Sequence, residues 1–455
     1  MKKFIETLQN IWKIKELRNR ILFTLALLAV FRFGSFVILP GVVAEALANS
    51  LQGGGNNIFD LISLFTGGAF SKGAIFALGI MPYITASIII QLLGFAVPYF
   101  QRLQQKEGES GRKKLTQITR GLTVLITLVQ GGGYLKLIAS TPGAISPDIP
   151  LSIFWISGII ILSTGTIFAM WLGERITDRG IGNGISLLIM IGIIATLPQT
   201  LAFEFTQQFG GNGSILFILE MAIFFIIVLA TILIVQGVRR IPIQFAKRMV
   251  GRGASAMPAA GARDYIPLKV NAAGVMPIIF AQAIMFLPAT IAQYLVTDQS
   301  QLSEGIFAQL VNPFSLVSSI FAFVLVVVFT YIYTALLVNP QQYAEYLKRQ
   351  NAFIPGIKPG KNTADFIDTV TTRVTLPGSI FLGIITILPA VAVAFGVNQG
   401  FAIFFGGTSL LILVAVVLDT LQQIESHLLM RRYDGLVKSG RLKGRSGMQG
   451  IGASM

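Results

Sequence analysis

The stretch Ile75–Val97 reads IFALGIMPYITASIIIQLLGFAV and contains 23 consecutive uncharged residues. That is enough to cross the ~30 Å hydrocarbon core of a bilayer as a helix. The next segment, 98–114, reads PYFQRLQQKEGESGRKK and carries five basic residues. A membrane span followed at once by positive charge has its end on the cytoplasmic side. Working outward from this segment, the same pattern recurs. Apolar spans are expected at Ile21–Leu39, Ile75–Val97, Leu122–Ile138, Leu151–Leu172, Ile185–Phe203, Ile215–Val235, Ala272–Val296, Pro313–Val338, Leu376–Phe395 and Gly407–Leu429. The N-terminus, the even-numbered junctions and the C-terminus hold 32 of the 35 Lys and Arg residues. The opposite side holds only Lys72 and Lys136, and Arg32 lies within the first span. The expected fold is an all-α polytopic membrane protein of ten transmembrane helices, with both termini cytoplasmic.

Composition agrees. The 455 residues are 53% hydrophobic and 12% charged, and the mean hydropathy is +0.73. Soluble domains carry about twice that charged fraction. Ten spans use up most of the chain, so no loop is long enough for a large soluble domain. The net charge of +15 has two readings. Topology alone produces it, or the basic loop Arg239–Lys269 meets a polyanionic partner. With no cysteine and a single histidine, His427, the chain has no thiolate or His-cluster metal site and no cofactor is expected. An intramembrane enzyme would need a nucleophile, paired acids or metal ligands at membrane depth, and the sequence shows none.

Several segments are more than connectors. At the N-terminus, Phe4, Ile5, Leu8, Ile11 and Trp12 recur at helical spacing opposite Lys2, Lys3, Glu6, Asn10 and Lys13. This predicts an amphipathic helix over 1–20 lying on the cytoplasmic surface. No cleavage site of the small-residue type follows it. In the first outer junction, Gly53–Gly55 and Gly67–Gly68 bracket a short apolar run around Ile58–Phe65. Too short to cross, it must tuck into protein or a lumen, as a re-entrant cap or as a mobile plug. Gly180, Gly182 and Gly184 imitate a dinucleotide-binding loop, but a membrane span precedes them in place of the strand that motif requires. They fit a sharp turn between spans four and five. Arg32, Glu220, Asp419, Glu425 and His427 fall in or near spans, where charge is expensive and faces protein or water. They form no chain of acids and bases like that of a proton-driven transporter.

The second and seventh spans share a motif: Gly79-Ile80-Met81-Pro82 and Gly274-Val275-Met276-Pro277. This echo predicts two inverted halves of five helices around a central pore, 21–236 and 271–430, joined by the basic loop 237–270. The second half contains a cytoplasmic loop at 339–375, and 431–455 form a cytoplasmic tail. A secondary transporter for a small solute also has inverted repeats and broken helices. It would place polar groups at the membrane centre, where this chain places isoleucines.

At this point the motifs resemble a known family. Gly79–Leu93 (GIMPYITASIIIQLL), Lys106–Lys114 (KEGESGRKK), Trp171–Ser186 (WLGERITDRGIGNGIS), Pro267–Pro277 (PLKVNAAGVMP) and Phe405–Ile412 (FGGTSLLI) resemble, in this order, SecY, the central subunits of Sec protein-conducting channels. The resemblance runs from the first span to the tail. It implies a channel that passes unfolded secretory polypeptides across the bacterial plasma (inner) membrane and releases hydrophobic segments sideways into lipid. It implies a mid-membrane ring at Ile80, Ile84, Ile185, Ile189, Ile279 and Ile412, with Met276 beside them. Ile80/Ile84 and Ile185/Ile189 are spaced i,i+4, so each pair shares a helix face. Residues 57–70 resemble a plug, with Asn57, Ile58, Phe59, Leu61, Ile62, Leu64 and Phe65 in it. Spans two and seven resemble the walls of a lateral gate, with Pro82, Ser87, Gln91, Pro277 and Gln282 on them. The cytoplasmic loops resemble docking surfaces, carrying Arg239, Arg240, Lys247, Arg248, Arg252, Lys348, Arg349, Lys358 and Lys361. The partners implied are the SecE and SecG small subunits, the SecA motor ATPase, the ribosome through its RNA phosphates, signal sequences and nascent chains, and membrane lipid. In one departure, Lys358 occupies the Gly-Ile-Lys-Pro-Gly motif where the family commonly has Arg. Lys keeps the charge but lacks the bidentate fork.

Overall fold

The computed structural model describes residues 12, 14–53, 63–105, 108–209, 214–245, 249–250, 257–258, 263–282, 284–285, 309, 312 and 314–438. The predicted surface helix at 1–20 lies largely outside them. In hydrocarbon every backbone N–H and C=O must be satisfied within the protein, and the apolar runs answer by coiling into helices. Spans three to six and eight to ten occupy seven helices long and apolar enough to cross a membrane, among them Gly108–Ser140, Leu151–Arg179, Gly184–Phe209, Lys361–Ala394 and Ser409–Leu428. Span eight lies on the helix Leu316–Leu337. Helices three, four and nine extend beyond their apolar runs at the ends that carry the basic loops. The 34 residues of Lys361–Ala394 measure about 50 Å, so loop 339–375 is mostly helical. Span one is the helix Lys15–Gly34, with Arg18 and Arg20 near its N-terminal start and Arg32 near its other end.

The second span is shorter as a helix than its hydropathy suggests. Ile75–Ile80 forms turns, and the helix starts at Met81. Gly79 has φ +53° and Pro82 stands in the first helical turn, the position where its missing N–H costs nothing. At the far end Val97 is extended, as residues before proline tend to be. The chain then turns by 103° into the helix starting at Pro98. The seventh span repeats this beginning. Gly274 has φ +64°, turns run over 271–275, and helix begins at Met276. Both Gly-x-Met-Pro copies adopt the same local conformation. The rest of the seventh span, 286–296, lies outside the described residues.

The glycine turn between spans four and five is a packing device as well as a bend. Gly182 has φ +84°. A Cβ on Gly184 would lie 2.0 Å from the Gly173 carbonyl oxygen, so the two spans touch backbone to backbone. The Ile181 N–H donates to Thr24 Oγ1 of span one at 3.0 Å, and the Gly182 N–H to Gln423 Oε1 of span ten at 2.8 Å. The turn therefore holds the first and last spans together.

A small sheet, which the sequence reading did not anticipate, joins the two basic loops. Strand Val238–Phe245 pairs antiparallel with Arg263–Lys269 on one side and Ala352–Phe353 on the other. Its Ile241 and Ile243 alternate inward, as strand geometry requires. They pack with Leu268, Leu347, Ala352, Ile354 and Ile367.

Candidate functional site

Isoleucines of four spans fall in one apolar cluster, to which spans one, four, six and nine also contribute. Ile80 at the cap of span two, Ile189 of span five and Ile412 of span ten are buried in it, and Ile84, Ile185 and Ile279 pack against it. These are the six isoleucines singled out from the sequence, brought together across more than 330 positions of chain. Ile84 N–H donates to the Ile80 carbonyl at 3.1 Å, so the two keep one helical face although Ile80 precedes the helix. Met276 stands apart. It is 36% exposed and does not belong to the cluster, because the helix begins there and Ile279, three residues on, turns inward.

Leu64 and Phe65 are buried in the same cluster. Asn57, Ile58, Phe59, Leu61 and Ile62 lie outside the described residues. The segment that follows folds on itself: Gly68 N–H bonds the Ser63 carbonyl at 2.7 Å, Ser63 and Ser71 hydroxyls meet at 2.9 Å, and Thr66 Oγ1 accepts from the Phe70 N–H at 3.2 Å. Its floor is span five, where a Cβ on Gly192 would come within 2.5 Å of the Phe65 carbonyl oxygen.

Spans two and seven meet in a second apolar cluster. Ile88 of span two packs with Ile278, Phe280 and Ala281 of span seven, Phe329 of span eight and Leu411 of span ten. Pro82 and Pro277 are buried at the starts of the two helices, and Ser87, Gln91 and Gln282 are half-buried. Tyr333 of span eight donates its hydroxyl to Gln91 Oε1 at 2.6 Å, and Gln91 Nε2 donates to Ser87 Oγ at 3.3 Å. This polar bridge joins the two halves of the chain. Tyr333 was missed in the sequence; its only signal was a phenol inside an apolar span.

The basic residues gather on this small sheet and the helices beside it. Arg239, Arg240, Lys348, Arg349 and Lys358 are exposed. Arg240 sits 4.8 Å over the Tyr265 ring, which orders its guanidinium while leaving the charge accessible. The two basic loops are thus one surface, joined through Gln244–Phe353 pairing. Lys247, Arg248 and Arg252 lie outside the described residues.

Helices long and apolar enough to cross a membrane, an apolar cluster that takes in isoleucines of four spans and a seam between the halves define a polytopic helical membrane protein. Comparison with known proteins gives the family. The SecY family profile matches residues 74–421. A protein translocase subunit SecY of Chlamydia muridarum is 40% identical, covering 96% of this chain and 99% of its own, and one of Streptomyces galbus is 42% identical over 94% and 98%. Among solved structures, one described as a protein conducting channel superposes with a TM-score of 0.59 at 19% identity, covering 92% of this chain and 94% of its own. Sec61 in a canine ribosome–channel complex superposes at 0.55 and 16%, covering 92% and 94%. The chain belongs to the SecY family, a family of translocation channels and not of enzymes.

Proposed function

We propose that the chain is the pore of a protein translocase. It passes unfolded polypeptides through the isoleucine constriction and releases hydrophobic segments between spans two and seven. One observation carries this reading: isoleucines from spans two, five, seven and ten meet in one apolar cluster that also takes in Leu64 and Phe65. An apolar constriction dewets and so resists ions, and branched side chains yield around a passing chain. A segment entering lipid gains ~0.8 kcal/mol per CH₂ removed from water. A solute transporter would line the same depth with polar groups. Reconstitution of the full chain with SecE, SecG and SecA, followed by protease protection of a signal-bearing precursor, tests it. Absence of protected precursor would sink the reading.

Residues 57–70 act as the plug, and its Leu64 and Phe65 pack in the isoleucine-containing cluster at rest. The chain has no cysteine, so Ser63→Cys is a single label. Its modification is expected to speed up when a precursor is trapped in the pore. Equal modification with and without substrate refutes the mobile plug.

The Gln91–Tyr333 hydrogen bond holds the gate seam closed. Interhelical bonds in membranes average about 0.6 kcal/mol, a roughly threefold bias. Tyr333→Phe should therefore let weaker signal sequences through about threefold more often, measured as precursor protected per unit time. Unchanged signal selectivity removes the bond from the gate.

The basic cytoplasmic surface docks SecA or the ribosome, and the membrane is the bacterial plasma membrane with both termini inside. The supporting observations are the charge asymmetry of the loops and the joining of both basic segments in one sheet.

A further inference from the structure

Arg32 is the one basic residue inside the first span, and charge at that depth is costly unless it is put to use. Its Nη1 donates to the Gly67 carbonyl oxygen at 2.6 Å. Gly67 closes the segment that carries Leu64 and Phe65 into the constriction. The guanidinium also lies 4.7 Å over the Phe36 ring, which Lys72 approaches at 4.5 Å. Gly67 has φ +65°, and a Cβ there would meet Arg32 Nη1 at 2.7 Å and Gly192 Cα at 3.1 Å. Glycine is thus required at the contact for both conformation and space.

We propose that Arg32 is a latch that holds the plug in its resting position, clamping its inner end at Gly67 between span one and span five. The proposal rests on the plug reading above. Its logic is differential: a bond made in the closed state and broken when the segment leaves shifts the equilibrium toward closed by what that bond is worth. The bond is charge-assisted, which makes it stronger than a neutral one. Turn 63–71 is closed by its own hydrogen bonds, so loss of Arg32 releases the turn without unravelling it. Arg32 is a positioning residue, acting on the conducting path through the plug.

The test uses Ser63→Cys in the full-length, otherwise cysteine-free chain, in lipid bilayers. Arg32→Met removes the donor and keeps the bulk of the stem. It should raise the idle modification rate of the introduced cysteine and the idle conductance roughly tenfold, the effect of one charged hydrogen bond. Arg32→Lys should restore most of the resting value. With a trapped precursor the parent and both variants should label alike, because the latch is already open; a general packing defect would raise labelling in both states. Gly67→Ala, which leaves Arg32 in place, should reproduce the effect and covers the case in which Arg32→Met fails to insert. If Arg32→Met and Gly67→Ala both label at the parental idle rate while trapped substrate still speeds labelling, the plug stands and the latch is refuted. If trapped substrate changes nothing in the parent, the plug reading falls and the latch falls with it.

Discussion

Replacing Ile80, Ile189, Ile279 and Ile412 together with serine is expected to raise the ion conductance of the idle channel by up to roughly a thousandfold. The four residues come from four spans; Ile80, Ile189 and Ile412 are buried in one apolar cluster and Ile279 packs against it. Each added hydroxyl favours water over an empty apolar gap by ~1 kcal/mol, judged from what burying an unpartnered hydroxyl costs in proteins. Four such changes move the wet-to-dry balance by about three powers of ten. The smaller side chains also widen the constriction. Single-channel recording in planar bilayers measures this. A quadruple variant that inserts normally and conducts no more than its parent would remove the isoleucines from the seal. Met276→Ser, at an exposed position outside the cluster, should leave idle conductance unchanged and serves as the control.

The second large effect is expected at the cytoplasmic surface. Arg240→Glu combined with Lys358→Glu should weaken ribosome binding and reduce the slope of log affinity against log salt by about 2, one for each lost phosphate contact. Both side chains are exposed and project from one sheet-and-helix unit, so a single flat polyanion can meet both. Idle conductance and membrane insertion should not change, since neither residue touches the pore cluster. Lys358→Arg should preserve binding, and should strengthen it if a bidentate fork is used. An affinity indifferent to salt, or full precursor transport by the doubly reversed variant, would leave these charges with a topological role only. SecA binding, measured in parallel, separates the two partners.

Much of this was legible in the residues. Hydropathy and the placement of Lys and Arg are properties of each segment by itself, because every span meets the same solvent, the bilayer, before it meets another span. The spans therefore follow from the sequence without knowledge of any contact, and the charge asymmetry gives the sidedness expected of them. The paired Gly-x-Met-Pro motifs were legible as an echo between the halves but not as helix starts, because they lie inside the apolar runs Ile75–Val97 and Ala272–Val296, although a left-handed glycine and a proline in the first turn specify a helix start locally. The length of the second helix was not legible. Ile75–Ile80 is apolar enough to be counted as span, yet it forms turns whose backbone is satisfied inside the protein, where irregular chain is tolerated.

The tertiary structure decided what required distant segments to meet. Gln91 and Tyr333 are 242 residues apart, and neither is unusual alone. The strand Val238–Phe245 lacked a detectable signal because its two partners lie at 263–269 and 352–353 and its pattern does not alternate cleanly, with Val238 and Pro242 exposed beside Arg239 and Arg240. The same applies to Arg32, whose cost in the membrane could be read at once but whose partner, a backbone carbonyl 35 residues away, could not. Sequence by itself determined which segments are apolar enough to enter the membrane, since partitioning into lipid is set residue by residue. Only the folded chain decided which isoleucines face one another, which polar groups bridge the halves and what holds Gly67, since those depend on packing between spans that lipid alone does not specify.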